Sequence, residues 1–387
     1  MTPATGPADG APRVVQAGAR TGRRPGRLAR VLPLMVLALL CAGCAVRPIT
    51  VLPPPPKPTP PPRIVAKPLD CTQSPDGTLE LWHALASADP GDKLCLLGSF
   101  PPSTLLSLTR SGTSSDPIVV ESDGVLVAGI EIDADNVIVQ GFNLGQGTGI
   151  KAQGTNIIIR DNDVRDAEDD GIRCNPCTGG RIVNNRVMRA DGVGVVYAGS
   201  DGAIRDNDVS GSIQRSAADA DGIGFAGTNL SIVHNYVHDI SGGDDPAGIS
   251  TVQSPHADCF RTADSAGTTI SDRLVLIDNV CANVAGQCLT ADGSHRDGVG
   301  GSSGQPALLF QRNYCQNGTD RAVYLVGYPH VVVTENIFSA GYDTAVLAVR
   351  GSTDAEVSDN TLIGQFEPYS VDPESASGLR HSGNISK

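Results

Sequence analysis

Asn156 to Val164 reads Asn-Ile-Ile-Ile-Arg-Asp-Asn-Asp-Val. Alternating, apolar-rich residues lead to an Asn, one further residue follows, and an apolar residue or Cys closes the phrase. It returns with its Asn at Asn162, Asn185, Asn207, Asn235, Asn279, Asn313, Asn336, Asn360 and Asn384. Five of the eight gaps are 22 to 24 residues. That period is too long for a hairpin and suits one turn of a solenoid. Each copy reads as a strand from its β-branched residues and its Gly, Asp and Asn borders.

A second mark follows most copies, an apolar residue after Gly or Ala: Gly171-Ile172, Gly192-Val193, Gly222-Ile223, Ala322-Val323 and Ala345-Val346. Two or three short strands per turn with Gly-rich corners predict an all-β fold, a single-stranded right-handed parallel β-helix with a short N-terminal capping helix. The pattern from about residue 70 to 385 resembles the pectate-lyase-like β-helix superfamily. That superfamily holds lyases, hydrolases, epimerases and binding proteins, so the resemblance speaks to fold before activity.

The repeat makes residues 70–387 one elongated domain, with a cap at 70–100. Ahead of it, residues 1–30 carry six Arg and no Lys, and Val31 to Cys41 is an apolar run too short to span a membrane. Residues 1–43 therefore read as a signal peptide. Cys41-Ala42-Gly43-Cys44 resembles a bacterial lipobox with Cys in place of its usual Leu, which implies Cys44 as an acylated first residue. Arg23-Arg24 lacks the apolar residues a twin-arginine signal needs just after the pair. Residues 44–69, with Pro-Pro-Pro-Pro-Lys-Pro-Thr-Pro-Pro-Pro at 53–62, form a semi-rigid extended spacer of about 3 Å per residue. An exported protein, lipid-anchored on the outer face of the cell envelope, is expected.

Removing residues 1–43 leaves 23 basic and 41 acidic residues, a charge of about −18. Such a balance argues against nucleic acid or an anionic membrane surface as partner, so membrane contact should run through the lipid alone. A polyanionic ligand would need a local basic patch or a bridging cation. A monomer is expected.

Thr78 to Ala88 should be the cap helix, with Leu81, Trp82 and Leu85 on its packed face, and Pro90-Gly91-Asp92 should end it before a strand at 93–97. Eight cysteines remain beyond Cys44, an even number in an exported chain. Cys71 and Cys95 would staple the cap, and Cys174 and Cys177 would close a local turn. Cys281 and Cys315 each lie two residues after a repeat Asn, while Cys259 and Cys288 occupy the Gly place of the second mark. Equivalent places on adjacent coils stack about 4.8 Å apart, so the expected bonds are Cys259–Cys288 and Cys281–Cys315.

The gaps lengthen to 28, 44 and 34 residues after Asn207, Asn235 and Asn279, which gathers extra chain between Gly211 and Gln305. Insertions mark the working face of a solenoid, and this one would suit an extended extracellular polysaccharide. The gap of 44 fits either two short coils or one coil with a long loop. Within it lies Ser254-Pro255-His256-Ala257-Asp258-Cys259-Phe260-Arg261. Asp258 stands just before the Gly place, as do Asp170, Asp191 and Asp221 in earlier coils, which would stack as a carboxylate ladder. His256, Asp258, Arg261 and Asp221 are the catalytic candidates; Asp170, Asp191, Arg173 and Tyr197 are candidates for substrate binding. Arg261 would neutralise a uronate carboxylate, His256 would move the C5 proton and Asp258 would orient His256, giving β-elimination or epimerisation. Asp170 and Asp221, two coils apart, could instead flank a bond for inverting hydrolysis. A non-catalytic glycan-binding module is the third reading.

Two enzyme families can be compared residue by residue. Pro255-His256 resembles part of the Asp-Pro-His of mannuronan C5-epimerases and alginate lyases, but Ser254 replaces the Asp. Asp169-Asp170 resembles the acidic pair of polygalacturonase-like hydrolases, whose His-Gly and Arg-Ile-Lys are absent here. No cofactor is assigned, with Ca²⁺ the one candidate. Asp244-Asp245 and Glu168-Asp169-Asp170 could bind Ca²⁺. His295-Arg296-Asp297 reads as a solvated loop.

Overall fold

A computed structural model describes residues 70–215, 219–243, 256–264, 270–294, 304–339 and 343–387. The expectations at Cys44, Asp244-Asp245, Ser254-Pro255 and His295-Arg296-Asp297 lie outside these residues. The domain is a right-handed parallel β-solenoid of about 11 turns with one short helix near its start. Helix α1 spans Thr78–Ser87 and the strand Lys93–Leu96 follows it. Leu81, Ala84 and Leu85 face the core. Trp82 does not: it is 56 % exposed, because one residue turns a helix by about 100° and carries Trp82 off the stripe that Leu81 defines.

Every strand pairs in parallel with the strand one coil away. Ile159, Ile182, Ile204, Ile232, Leu276, Phe310, Val333 and Val357 follow one another as direct register partners and fill the interior as one column. Beside it runs the asparagine ladder. The Asn162 Nδ2 donates to Asn185 Oδ1 at 3.0 Å, and the same link recurs at each step to Asn384. Each Asn, Asn384 included, also accepts from and donates to backbone that the corner leaves without a strand partner, as where the Asn185 N–H donates to Asn207 Oδ1 and Asn185 Nδ2 to Ile159 O. The residue just before each Asn sits in the left-handed region, φ 55 to 59° at Asp161, Asn184, Asp206, Asp278 and Asp359, and makes the corner.

The 44-residue gap is one coil. Asn235 Nδ2 donates to Asn279 Oδ1 at 3.0 Å, and Tyr236 and Val237 pair with Val280 and Cys281. The extra chain leaves and rejoins the coils at the two ends of the strands that begin at Ile223, Phe260 and Leu289.

The second mark needs one correction. Ile172 pairs with Val195, which pairs with Ile223, so Gly194-Val195 and not Gly192-Val193 holds the register. A Cβ on Gly171, Gly194 or Gly222 would come within 2.3, 2.4 or 2.2 Å of Val187, Val209 or Val237 on the third strand of the same coil. The column is glycine because its Cβ direction is already filled.

The same geometry corrects two disulfides. Cys281 and Cys315 are register partners, as expected, but the bonds are Cys259–Cys281 and Cys288–Cys315, with Cα separations of 6.0 and 5.7 Å. Stacked side chains project in parallel, and their Cβ atoms stay about 4.8 Å apart, beyond the roughly 3.8 Å a disulfide wants. Across one coil, the Gly-place and Val-place side chains point at each other, so cysteine replaces both members of that pair. Cys71–Cys95 and Cys174–Cys177 form as expected.

Candidate functional site

Two triplets lie side by side on adjacent coils, Asp219-Ala220-Asp221 and His256-Ala257-Asp258. Asp219 and His256 are bridge partners, and Ala220 N–H donates to His256 O at 2.8 Å. Gly222 N–H donates to Asp258 O, also at 2.8 Å. The next strand positions, Gly224 and Arg261, are partners on the outer face.

The two inner carboxylates serve the backbone. Asp221 Oδ1 accepts the Asp258 N–H at 2.8 Å, and Asp258 Oδ1 accepts the Gln287 N–H at 2.7 Å. Asp170 Oδ1 does the same for Val193 N–H at 2.9 Å. Each carboxylate satisfies an amide that the corner has taken out of the strand ladder. Asp221 and Asp258 are 1 % and 0 % exposed. Burial and the neighbouring Asp258 charge push the Asp221 carboxyl up to about 8, and burial likewise raises Asp258.

Arg261 reaches back over this pair. Its Nη1 lies 3.7 Å from Asp219 Oδ1 and its Nε 4.0 Å from Asp221 Oδ2. Nη1 is buried and has no hydrogen-bond acceptor, and the Thr290 side chain lies beside the buried Asp258 carboxyl. His256 is exposed and lies near enough for its cation to favour the Asp258 carboxylate.

The structure thus brings His256, Asp258, Arg261 and Asp221 together, but Asp221 and Asp258 turn inward where an open cleft was expected. Asp170 is also buried, and it pairs with Arg173. Asp191 leaves the ladder, since Val193 takes its rung, and its Oδ1 accepts the Arg215 N–H. Tyr197 is buried, accepting from Gly180 N–H and donating to Ser200 O, each at 3.1 Å, so it cannot meet a sugar. Of the four residues expected to bind substrate only Arg173 reaches the surface. Asp219, the charged partner of Arg261, was missed; its position two before Asp221, matching His256 two before Asp258, was the available signal. Glu168-Asp169-Asp170 does not suit Ca²⁺, because Lys151 and Arg173 already neutralise Asp169 and Asp170.

Lys151, Arg173, Val196, Gly224, Arg261, Thr290 and Tyr324 form one outward column by register. Cations stand at either end of a low stretch, Val196 and Gly224, with Ala198 and Ala226 beside it. At the corner before Gln287, a shallow groove of about 740 Å³ crosses four coils, lined by polar and apolar residues alike, among them Asp239, Ile240, Asn283, Val284, Gln316 and Ser339.

Stacked coils, an asparagine ladder and an outer face bracketed by insertions define a parallel β-helix protein. Residues 170–368, just over half of the chain, match the right-handed β-helix region, and the chain belongs to that family. No curated protein matches the sequence. Among solved structures, the catalytic unit of a thermostable α-1,3-glucanase from Streptomyces thermodiastaticus is 12 % identical with TM-score 0.52, covering 83 % of this chain and 69 % of that one. An alginate lyase from Paenibacillus sp. is 15 % identical with TM-score 0.36, covering 82 % and 98 %. The A-module of a mannuronan C-5 epimerase from Azotobacter vinelandii is 11 % identical with TM-score 0.41, covering 81 % and 96 %. At these identities the likeness is one of fold.

Proposed function

We propose that the protein is a carbohydrate-active β-helix protein that binds an anionic polysaccharide across the Arg173–Arg261 face and acts on its uronate units. The observation that carries this reading is Arg261, a guanidinium side chain 20 % exposed whose Nη1 has no hydrogen-bond acceptor, five residues from the exposed His256. A uronate carboxylate would pair with the part of the guanidinium that remains open to solvent. Neutralising that carboxylate acidifies the C5 proton, which His256 takes. In elimination the electron pair forms the C4–C5 double bond, the C4–O bond breaks and the leaving oxygen takes the proton back from the His256 imidazolium. In epimerisation water delivers a proton to the other side of C5 and the His256 imidazolium gives its proton to solvent. Asp258 stabilises the imidazolium from beneath, as a positioning residue. The α-1,3-glucanase that shares the fold also takes a polysaccharide.

Incubating the protein with polymannuronate, polyguluronate and polygalacturonate tests this. Ultraviolet absorbance of an unsaturated product, or an altered C5 proton spectrum, is expected and is lost in His256→Ala. The burial of Asp221 and Asp258 favours a second reading, binding without turnover, in which these polymers bind and stay intact. Hydrolysis between Asp170 and Asp221 loses ground, since both are buried and a glycosidase needs both open to substrate.

Export and lipid anchoring at Cys44 belong to the same proposal. Four disulfides suit an oxidising compartment. Release of the protein from membranes by Cys44→Ser is the test.

A further inference from the structure

Among the described residues six large hydrophobic side chains are exposed, and five of them, Leu79, Trp82, Leu97, Leu105 and Leu126, belong to the cap and first coils. Leu79 and Trp82, 65 % and 56 % exposed, lie three apart on the outer side of α1, whose opposite side packs on the core. Side chains three apart on a helix form one surface. A Trp–Leu surface open to water at one end of an otherwise polar solenoid calls for a cover.

We propose that the cover is the chain's own proline-rich segment, residues 53–62, seated along the outer face of α1. Three facts select this occupant. The first is reach. The described chain begins at Asp70 and is tied at once by Cys71–Cys95. The seven residues from 63 to 69 extend about 24 Å, whereas α1, at ten residues, is only about 15 Å long. The second is shape. A polyproline helix repeats every three residues, so Pro55, Pro58 and Pro61 make one unbroken proline ridge, and such ridges dock on aromatic surfaces. The third is charge. Residues 51–69 hold Lys57, Arg63 and Lys67 and no acid, while Asp76, Glu80 and Asp89 are exposed on and around α1. Seating stiffens the junction between the linker and the solenoid.

Trp82 is the chain's single tryptophan, so its fluorescence reports this face alone. The experiment compares the exported chain carrying Cys44→Ser, which keeps it in aqueous solution, with the same chain carrying Pro55→Ser, Pro58→Ser and Pro61→Ser. The proposal expects acrylamide quenching of Trp82 to rise at least about twofold in the triple variant, with emission shifted to the red and far-ultraviolet circular dichroism unchanged. Lys57→Glu should raise quenching in the same direction at low salt and have less effect at high salt. Equal quenching in the parent and the triple variant overturns the proposal. So does protection that grows with protein concentration, which assigns the face to a second copy. Protection that arises only on adding phosphatidylcholine–phosphatidylglycerol vesicles assigns it to lipid and overturns it too. The substituted prolines lie outside the solenoid, so a folding defect does not obscure the result.

Discussion

Asp221 Oδ1 holds the backbone N–H of Asp258 at 2.8 Å, and so two carboxyl groups stand on adjacent coils, both shut away from water. One oxygen of each is spent on the backbone. The remaining charge is what the site must tolerate; Arg261 reaches over it, and the exposed His256 lies near Asp258.

That arrangement fixes the sign of a pH effect. The Asp221 carboxyl titrates near 3.8 when unfolded and is pushed up to about 8 in the fold, so the native state holds the extra proton. Its contribution to stability is full below the unfolded value, declines as pH rises, and is gone above about 8. Asp221→Asn keeps an acceptor for the Asp258 N–H and removes the titration. Relative to the parent, this variant should gain about 4 kcal/mol between about pH 5 and pH 9. Thermal unfolding across that range measures it; a difference that does not change with pH would refute the assignment.

Arg261→Ala should cost at least about tenfold in affinity for a uronate polymer, since a charge-assisted pair with a carboxylate contributes about 1.5–3 kcal/mol. Arg173→Ala should cost less, because Asp170 already occupies its guanidinium. Neither change should alter binding of a neutral glucan. Calorimetric titration with both polymers separates charge recognition from general weakening.

Non-reducing peptide maps should link Cys259 to Cys281 and Cys288 to Cys315. Replacing Cys259 and Cys281 together by Ser should lower stability by about 2–4 kcal/mol. A Cys259–Cys288 peptide would show that the bonds run between coils and not across them.

Gly222→Ala should destabilise by about 1–3 kcal/mol, because the new Cβ meets Val237 Cγ1 at 2.2 Å and Cys259 O at 2.8 Å. Adding Val237→Ala removes the first clash, so the double variant should lose less than the sum of the two single losses. Strict additivity in urea unfolding would show that the pair does not share one space.

The columns were legible from the asparagine alone, because a buried amide that must hydrogen-bond its copy above and below tolerates no change of phase. The cap helix was legible to within a residue. Three things were not. Asp191-Gly192-Val193-Gly194-Val195 offers the Gly-apolar mark twice, and only contact with Val209 selects the second. Stacking gave the cysteines their rows but not their bonds, since a row says where a Cα lies and a bond depends on where the Cβ points. The Asp column was expected to face outward, yet Asp170 lies two residues before the inward Ile172, and alternation places both on the inner side. At the site, His256 and Arg261 are linked through Asp219, which is the bridge partner of one and the ion-pair partner of the other, and Asp219 required the neighbouring coil to be laid alongside.

Asn235 bonds to Asn279 across 44 residues just as Asn185 bonds to Asn207 across 22. Length between rungs is therefore invisible to the scaffold. Segments at either end of the Phe260 strand can be exchanged, lengthened or trimmed without disturbing the core, so what such a protein recognises is free to diverge while its skeleton stays the same.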